Sequence, residues 1–233
     1  QKAIKVAGGK HSFIEHDEDI SKRSITKYIK PKAEIEGNTL ILTIPEFTGN
    51  DSQASDYANF LESSLHKNNY NGVIIDLRGN RGGDLSPMVL GLSPLLPDGT
   101  LFTYVDKSSH SKPVELQNGE INSGGSSTKI SDNKKIKKAP IAVLIDNNTG
   151  SSGELTALCF EGIPNVKFFG SDSAGYTSAN QTVYLYDGST LQITSAFVKD
   201  RTNNIYKNFP ISPDIQTNNA KSSAIEWIKS QIK

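Results

Sequence analysis

The sequence predicts a single α/β domain, and three observations carry that. An apolar strand, an amphipathic helix and a second apolar strand follow one another between residues 38 and 77, the order of a βαβ unit. The run 140-PIAVLID-146 is a further buried strand that leads into a helix over 151–162 and a third short strand, "NVKFFG" (165–170). Finally, 181-QTVYLYDGSTLQITSAFVK-199 alternates about Asp187-Gly188, a strong signal for a hairpin.

Each element has a local cause. "NTLILTIPEF" (38–47) reads as a strand that ends at Pro45, where the ladder donor is lost. In 52-SQASDYANFLESSLHKN-68, Ala54, Ala58, Leu61 and Leu65 recur at spacings of three and four, the stripe of a helix that buries one face. Asp51 or Ser52 stands at its cap. Val73 to Leu77 is an unbroken apolar run, as a strand covered on both faces requires. Near the end, "SSAIEWIKSQIK" is a helix that presents Ala224, Ile225, Ile228 and Ile232. Between 100 and 138 the periodicity is lost, and "QNGEINSGGSSTKISDNKK" predicts a long surface excursion. The expected division is an N-terminal segment, 1–35, and a core, 36–233.

Composition narrows the function classes. Lysine plus arginine and aspartate plus glutamate both number 25, so no net charge points to nucleic acid. "KKIKK" (134–138) is short enough to be a solvated loop. The lone Cys159 rules out an intrachain disulfide and falls on an apolar helix face. No run approaches the roughly 18 apolar residues of a membrane span. The chain opens on Gln1 rather than Met, compatible with a trimmed signal or an anchor outside it, and an extracellular or cell-surface location is expected.

Two turns carry the chemistry. In 147-NNTGSSGELTAL-158, two serines between glycines join a strand to a helix, where free amides and the positive helix end suit a nucleophile and its oxyanion. The same residues, Ser151 to Glu154, fit a capping box in which Ser151 only caps the helix. In "IIDLRGNRGGDL" (74–85), a buried strand ends at Asp76 and a glycine turn offers successive amides at Gly82 and Gly83. No Gly-Lys-Ser/Thr follows, so it is not a phosphate loop. Here the alternative is a tight connection with an Asp76–Arg78 pair.

Taken in order, "DLRGNRGG", "SSGE", "FGSDSAGYTS" and "FPISPDI" resemble the S41 peptidases, which include the tail-specific proteases and the tricorn core protease, over about residues 38–218. The resemblance implies a crotonase-like fold, with ββα units wound into a superhelix under a covering hairpin. It implies Ser151 as nucleophile, three residues before Glu154. It implies an oxyanion hole from the amide of Ser152 and that of Gly82 or Gly83, with Tyr176 and Thr177 lining the substrate side. No cofactor or metal is implied.

The base departs from the tail-specific pattern. Where those enzymes carry the lysine of "T-x-G-K", 173-SAGYTS-178 places Tyr176, and Lys167 lies in a strand outside the motif. The other branch of the family takes a histidine from an early "G-x-H-S/T" stretch, which 8-GGKHSF-13 resembles, so His11 is the expected general base. An ordinary histidine pKa of about 6.5 suits proton transfer near neutrality. A loop histidine with no role is the alternative. His16 beside Asp17, Glu18 and Asp19 reads as a solvated acidic run rather than a metal site; His66 and His110 are weaker candidates still.

The carboxylate expected ahead of "G-I-x-P-D" is absent from 205-IYKNFPISPDI-215, where Lys207 and Asn208 stand and Pro210 replaces the glycine; Asp200 is a distant substitute. A Ser/His dyad remains. The interval from His11 to Gly72 leaves no room for a PDZ module. The expected activity is therefore serine endopeptidase cleavage of extended peptides or proteins. An inactive relative that binds hydrophobic ligands or peptides is the alternative, and a crotonase-like acyl-CoA enzyme is a more distant one.

Overall fold

The computed structural model describes residues 2–16, 28–67, 69–136 and 139–232. In chain order these form α1 (Lys2–Gly8), β1 (Phe13–Glu15), β2 (Lys32–Glu36), β3 (Thr39–Thr43), α2 (Asp51–Lys67), β4 (Gly72–Asp76), α3 (Leu85–Leu92), β5 (Gly99–Asp106), β6 (Ser111–Gln117) and β7 (Glu120–Ile121). After these come β8 (Ile141–Ile145), α4 (Ser152–Leu158), β9 (Val166–Gly170), β10 (Ser178–Tyr184), β11 (Thr190–Lys199), β12 (Ile205–Tyr206), β13 (Ile215–Gln216) and α5 (Ala220–Gln231).

The strands with apolar runs, β3, β4 and β8, lie within the central sheet, whose order is β13-β9-β8-β4-β3-β2. β3, β4, β8 and β9 are parallel, as helical crossovers demand. Their side chains alternate between two cores. Leu40, Leu42, Val73, Ile75, Val143 and Ile145 pack with α2, α3 and α4. Ile41, Ile74, Ala142, Leu144 and Phe169 point the other way, onto Ala224, Ile225 and Ile228 of α5. Both faces are dry, which is why these strands carry no polar alternation. A fully buried side chain of this size contributes about 1.5–3 kcal/mol relative to exposure.

The parallel arrangement sets where chemistry can sit. β4 and β8 are neighbours in register, Asp76 against Leu144, so the turns that follow them emerge side by side at one edge of the sheet. A second, seven-stranded sheet runs β1-β11-β5-β6-β7, with β10 and β12 also paired to β11. The hairpin expected about Asp187-Gly188 is present as β10 and β11, and Gly188 takes the left-handed φ of 83° that the turn requires.

Four expectations are corrected. The stretch 100–138 is not a structureless excursion through its length. β5 and β6 pair with each other and bury Leu101, Phe102, Val114 and Leu116, β5 also pairs with β11, and irregular chain begins only after β7. The helix expected over 151–162 is regular only to Leu158 and then gives way to turns. The boundary placed between residues 35 and 36 falls inside β2, while β1 belongs to the second sheet, so the N-terminal segment is woven into both sheets. At the C-terminus, Ile232 is 37% exposed and lies outside the buried stripe of α5.

Candidate active site

The serine turn follows β8. The Asp146 carboxylate accepts from the amides of Asn148, Thr149 and Gly79, each at 3.0 Å, and so ties the loop after β8 to the loop after β4. A second tie runs from the Gly150 N–H to the Asn80 carbonyl at 2.9 Å. Ser151 then takes φ 52° and ψ −123°, a left-handed conformation that costs a non-glycine residue about 1–3 kcal/mol. Glu154, fully buried, holds it there by accepting the Ser151 N–H at 2.9 Å. The Ser151–Glu154 pair has the arrangement of a capping box, yet the Ser151 hydroxyl makes no full cap hydrogen bond.

Glu154 does more than cap. It also accepts from Gly175 N–H at 2.6 Å, from Tyr176 N–H at 2.7 Å and from the Ser173 hydroxyl, and thereby clamps 173-SAGYTS-178 beside the serine turn. Burial raises its pKa, and the four donors pull the other way.

The glycine turn lies against this turn. Gly82 and Gly83 adopt φ 112° and 95°, conformations that side chains rarely enter. A Cβ on Gly82 would stand 2.9 Å from the Ser151 Cβ, and one on Gly83 would collide with the Phe47 carbonyl. The Gly82 N–H is engaged: it donates to Asn80 Oδ1 at 2.8 Å, while Asn80 Nδ2 donates to the Ile44 carbonyl at 2.8 Å. The Ser152 hydroxyl donates to the Gly83 carbonyl at 2.6 Å. Among the described residues, neither the Gly83 N–H nor the Ser152 N–H has an acceptor. Of the two glycines expected to offer an amide, Gly83 is the one with a free donor. Asp76 and Arg78 pair at 2.6 Å, as the alternative reading of this turn had it.

His11 reaches this place from the far end of the chain. Its loop is sewn to the β10–β11 hairpin: Ser12 accepts from the Thr194 N–H at 2.9 Å and donates to the Gly8 carbonyl at 2.8 Å. Asn180 Nδ2 donates to the His11 carbonyl at 2.7 Å. The ring sits 5.1 Å from that of Tyr176, centroid to centroid, and Nδ1 lies 2.8 Å from Ser178 Oγ. Burial first, and then the Lys10 charge, lower the His11 pKa to about 4. Lys10 itself donates to the Ala174 carbonyl at 2.9 Å and stands over the Tyr176 ring.

His11, Ser151, Ser152, Gly82, Gly83 and Tyr176 all line one cleft of about 1030 Å³. His11 and Ser151 share no direct hydrogen bond among the described residues. Thr177, expected on the substrate side, is instead fully buried; its hydroxyl donates to the Phe209 carbonyl at 2.9 Å, and it is not among the cleft residues. Asp200 organises its own turn, accepting from Thr202 and Asn204 amides and the Tyr206 hydroxyl. His16 meets Ser189, and its acidic neighbours Asp17, Glu18 and Asp19 lie outside the described residues, as do Lys137 and Lys138 of the basic run. Glu62, His66 and Asp132 bring one ligand-type atom each within 4.8 Å of one another, but none of them lines the cleft. Ser178 and Asn180 were not singled out in the sequence. Ser178 meets the ring of His11 and Asn180 its carbonyl, on either side of a shift in the β10–β11 register.

A model of peptidase family S41 matches residues 38–217. The chain belongs to peptidase family S41. It is 98% identical over its whole length to a nisin-resistance protein of Lactococcus lactis subsp. lactis, of which it spans 73%. It is 31% identical over 133 residues to the carboxy-terminal processing protease CtpA of Bacillus subtilis (strain 168), covering 57% of this chain and 26% of that protein. Among solved structures, a lipoprotein from Streptococcus agalactiae superposes with a TM-score of 0.90 at 36% identity, over all of this chain and 80% of that one. The S41 match begins after His11, so the histidine's place in the site rests on the geometry of the cleft.

Proposed function

We propose that this S41 peptidase is a serine endopeptidase acting on extended polypeptides, with Ser151 as nucleophile and His11 as general base. One observation carries it: a strained serine turn, two unpaired amides and a part-buried neutral imidazole converge on one cleft. Ser151 Oγ attacks the scissile carbonyl as His11 Nε2 takes its proton, and the carbonyl oxygen becomes an oxyanion. The Gly83 and Ser152 amides are placed to hold it. Collapse breaks the C–N bond, and His11 returns the proton to the leaving amine. Water then hydrolyses the ester by the same proton route. A single oxyanion donor is worth about 10²–10³ in kcat in comparable sites.

Tyr176, packed against His11 and Lys10, forms the wall on which substrate rests. The succession of parallel strand–helix units beneath a β-hairpin supports a crotonase-like superhelix as the fold type. The Lactococcus relative's name makes nisin the first compound to incubate with the chain, and the likeness to a lipoprotein supports a cell-surface setting.

The test is Ser151→Ala. Peptide cleavage should disappear, and a serine-reactive probe should label wild type alone. Cleavage by Ser151→Ala at the wild-type rate would sink the assignment. An unlabelled wild type that binds apolar ligands saturably would favour a non-catalytic binder.

A further inference from the structure

We propose that Ser178 is the positioning residue that sets the His11 tautomer, accepting the Nδ1 proton so that Nε2 faces Ser151 with its lone pair. This rests on the Ser151–His11 reading and adds the partner that neither the sequence motifs nor the family match supplies.

The argument begins with proton counting. A neutral imidazole carries one N–H, and only the bare nitrogen can accept a proton. The ring of His11 is neutral across the physiological range, because burial and Lys10 disfavour its charged form. Which nitrogen is bare is set by the hydrogen bond that the other makes. The partner of Nδ1 is Ser178 Oγ at 2.8 Å, and no carboxylate is hydrogen-bonded to this ring among the described residues. The Ser178 hydroxyl is 3% exposed in residue terms but borders the cleft, where its own proton can point away from the ring.

The partner lies at the start of a paired strand. Ser178 begins β10, and the register of β10 on β11 pairs Ser178 with Phe197 and Asn180 with Thr194. Asn180 Oδ1 accepts from the Thr194 hydroxyl at 3.1 Å, while its Nδ2 holds the His11 carbonyl. Thr194 in turn donates its N–H to Ser12. Ring and backbone of His11 are therefore both referenced to one hairpin, and Ser178 is the contact that touches the ring nitrogen. A hydroxyl has a consequence that a carboxylate would not: it orients the ring without adding a negative charge to favour the imidazolium.

The experiment is ¹⁵N NMR of the histidine side chains in the intact protein, with His11 assigned by its loss in His11→Gln, followed by steady-state kinetics on a peptide that wild type cleaves. The wild-type spectrum should show the proton on Nδ1 and a bare Nε2. Ser178→Ala should lose that preference and lower kcat about tenfold with KM little changed, the upper range for one neutral hydrogen bond. Ser178→Thr, which keeps the hydroxyl on a strand that tolerates β-branching, should restore both. A wild-type ring protonated on Nε2, or a Ser178→Ala enzyme with wild-type kcat, overturns the proposal. Failure of the underlying reading looks different: Ser151→Ala would still cleave. Should Ser178→Ala not fold, the wild-type spectrum and the Thr variant still decide.

Discussion

His11 shows how much one residue's surroundings change its chemistry. Left in solvent it would be half protonated at about pH 6.5. Buried and beside Lys10, it is held to about 4. A protonated His11 cannot accept from Ser151, so kcat/KM should fall only as pH drops through about 4 and should be level across 6.5. An acid limb near 6.5 would show that the ring is not in this environment during turnover. The same shift makes a stability statement. Between about 6.5 and 4 the unfolded chain binds a proton at His11 that the folded chain resists. This contribution to stability therefore falls as pH is lowered through that window. His11→Gln should remove that part of the pH dependence, as read by urea midpoints.

The glycine turn after β4 is the element on which the oxyanion site depends. Asn80 closes it from within by accepting the Gly82 amide, and the serine turn is tied to the Asn80 carbonyl. Gly83 is pressed against Phe47 so closely that even a methyl group has no place, in a left-handed conformation as well. Gly83→Ala should therefore displace the free amide of this cleft-lining residue. The expected outcome is a kcat loss of about 10² or more, with a lower melting temperature, since an off-position donor acts as a missing one. Wild-type turnover in a folded Gly83→Ala protein would remove Gly83 from the oxyanion site. Much of this element was legible: "DLRGNRGG" announces a strand, a turn and free amides. Which amide is free was not, because that depends on where the Asn80 side chain folds back.

At the scale of the whole molecule, the central sheet separates two cores, and the cleft lies on the side of the larger one. Ile228 of α5 is fully buried in the smaller core, close to Gly72. Ile228→Ala should cost about 2–5 kcal/mol of stability. Its kcat at temperatures where it stays folded should match wild type, because α5 supplies no residue to the cleft lining. Thermal melts read beside turnover check this, and a parallel fall in kcat would show that the two cores are coupled. Catalysis and stability are thus expected to divide across the sheet.

The boundary between what the chain states locally and what it leaves to assembly follows from the range of the interactions involved. Apolar runs at 39–43, 73–77 and 141–145, the helical stripe of 52–68, the Asp187-Gly188 hairpin and the two glycine-flanked turns are all encoded within a few residues, and each is where the sequence places it. β5 and β6 are half exposed and carry little apolar signal, and β5 is joined to the sheet by β11, which is far along the chain. Pairing of that kind has no local signature. The same holds at the site. Ser151 and the Gly82–Gly83 turn were visible as motifs, and His11 only as a resemblance. Only tertiary contacts decided that Thr177 is buried, that the Gly82 amide is engaged, and that Ser178 lies against the ring of His11. Thr177 meets Phe209 and Ser178 meets His11 only when distant parts of the chain are brought together, and the Gly82–Asn80 bond, though local, depends on an Asn80 side chain that Ile44 holds in place.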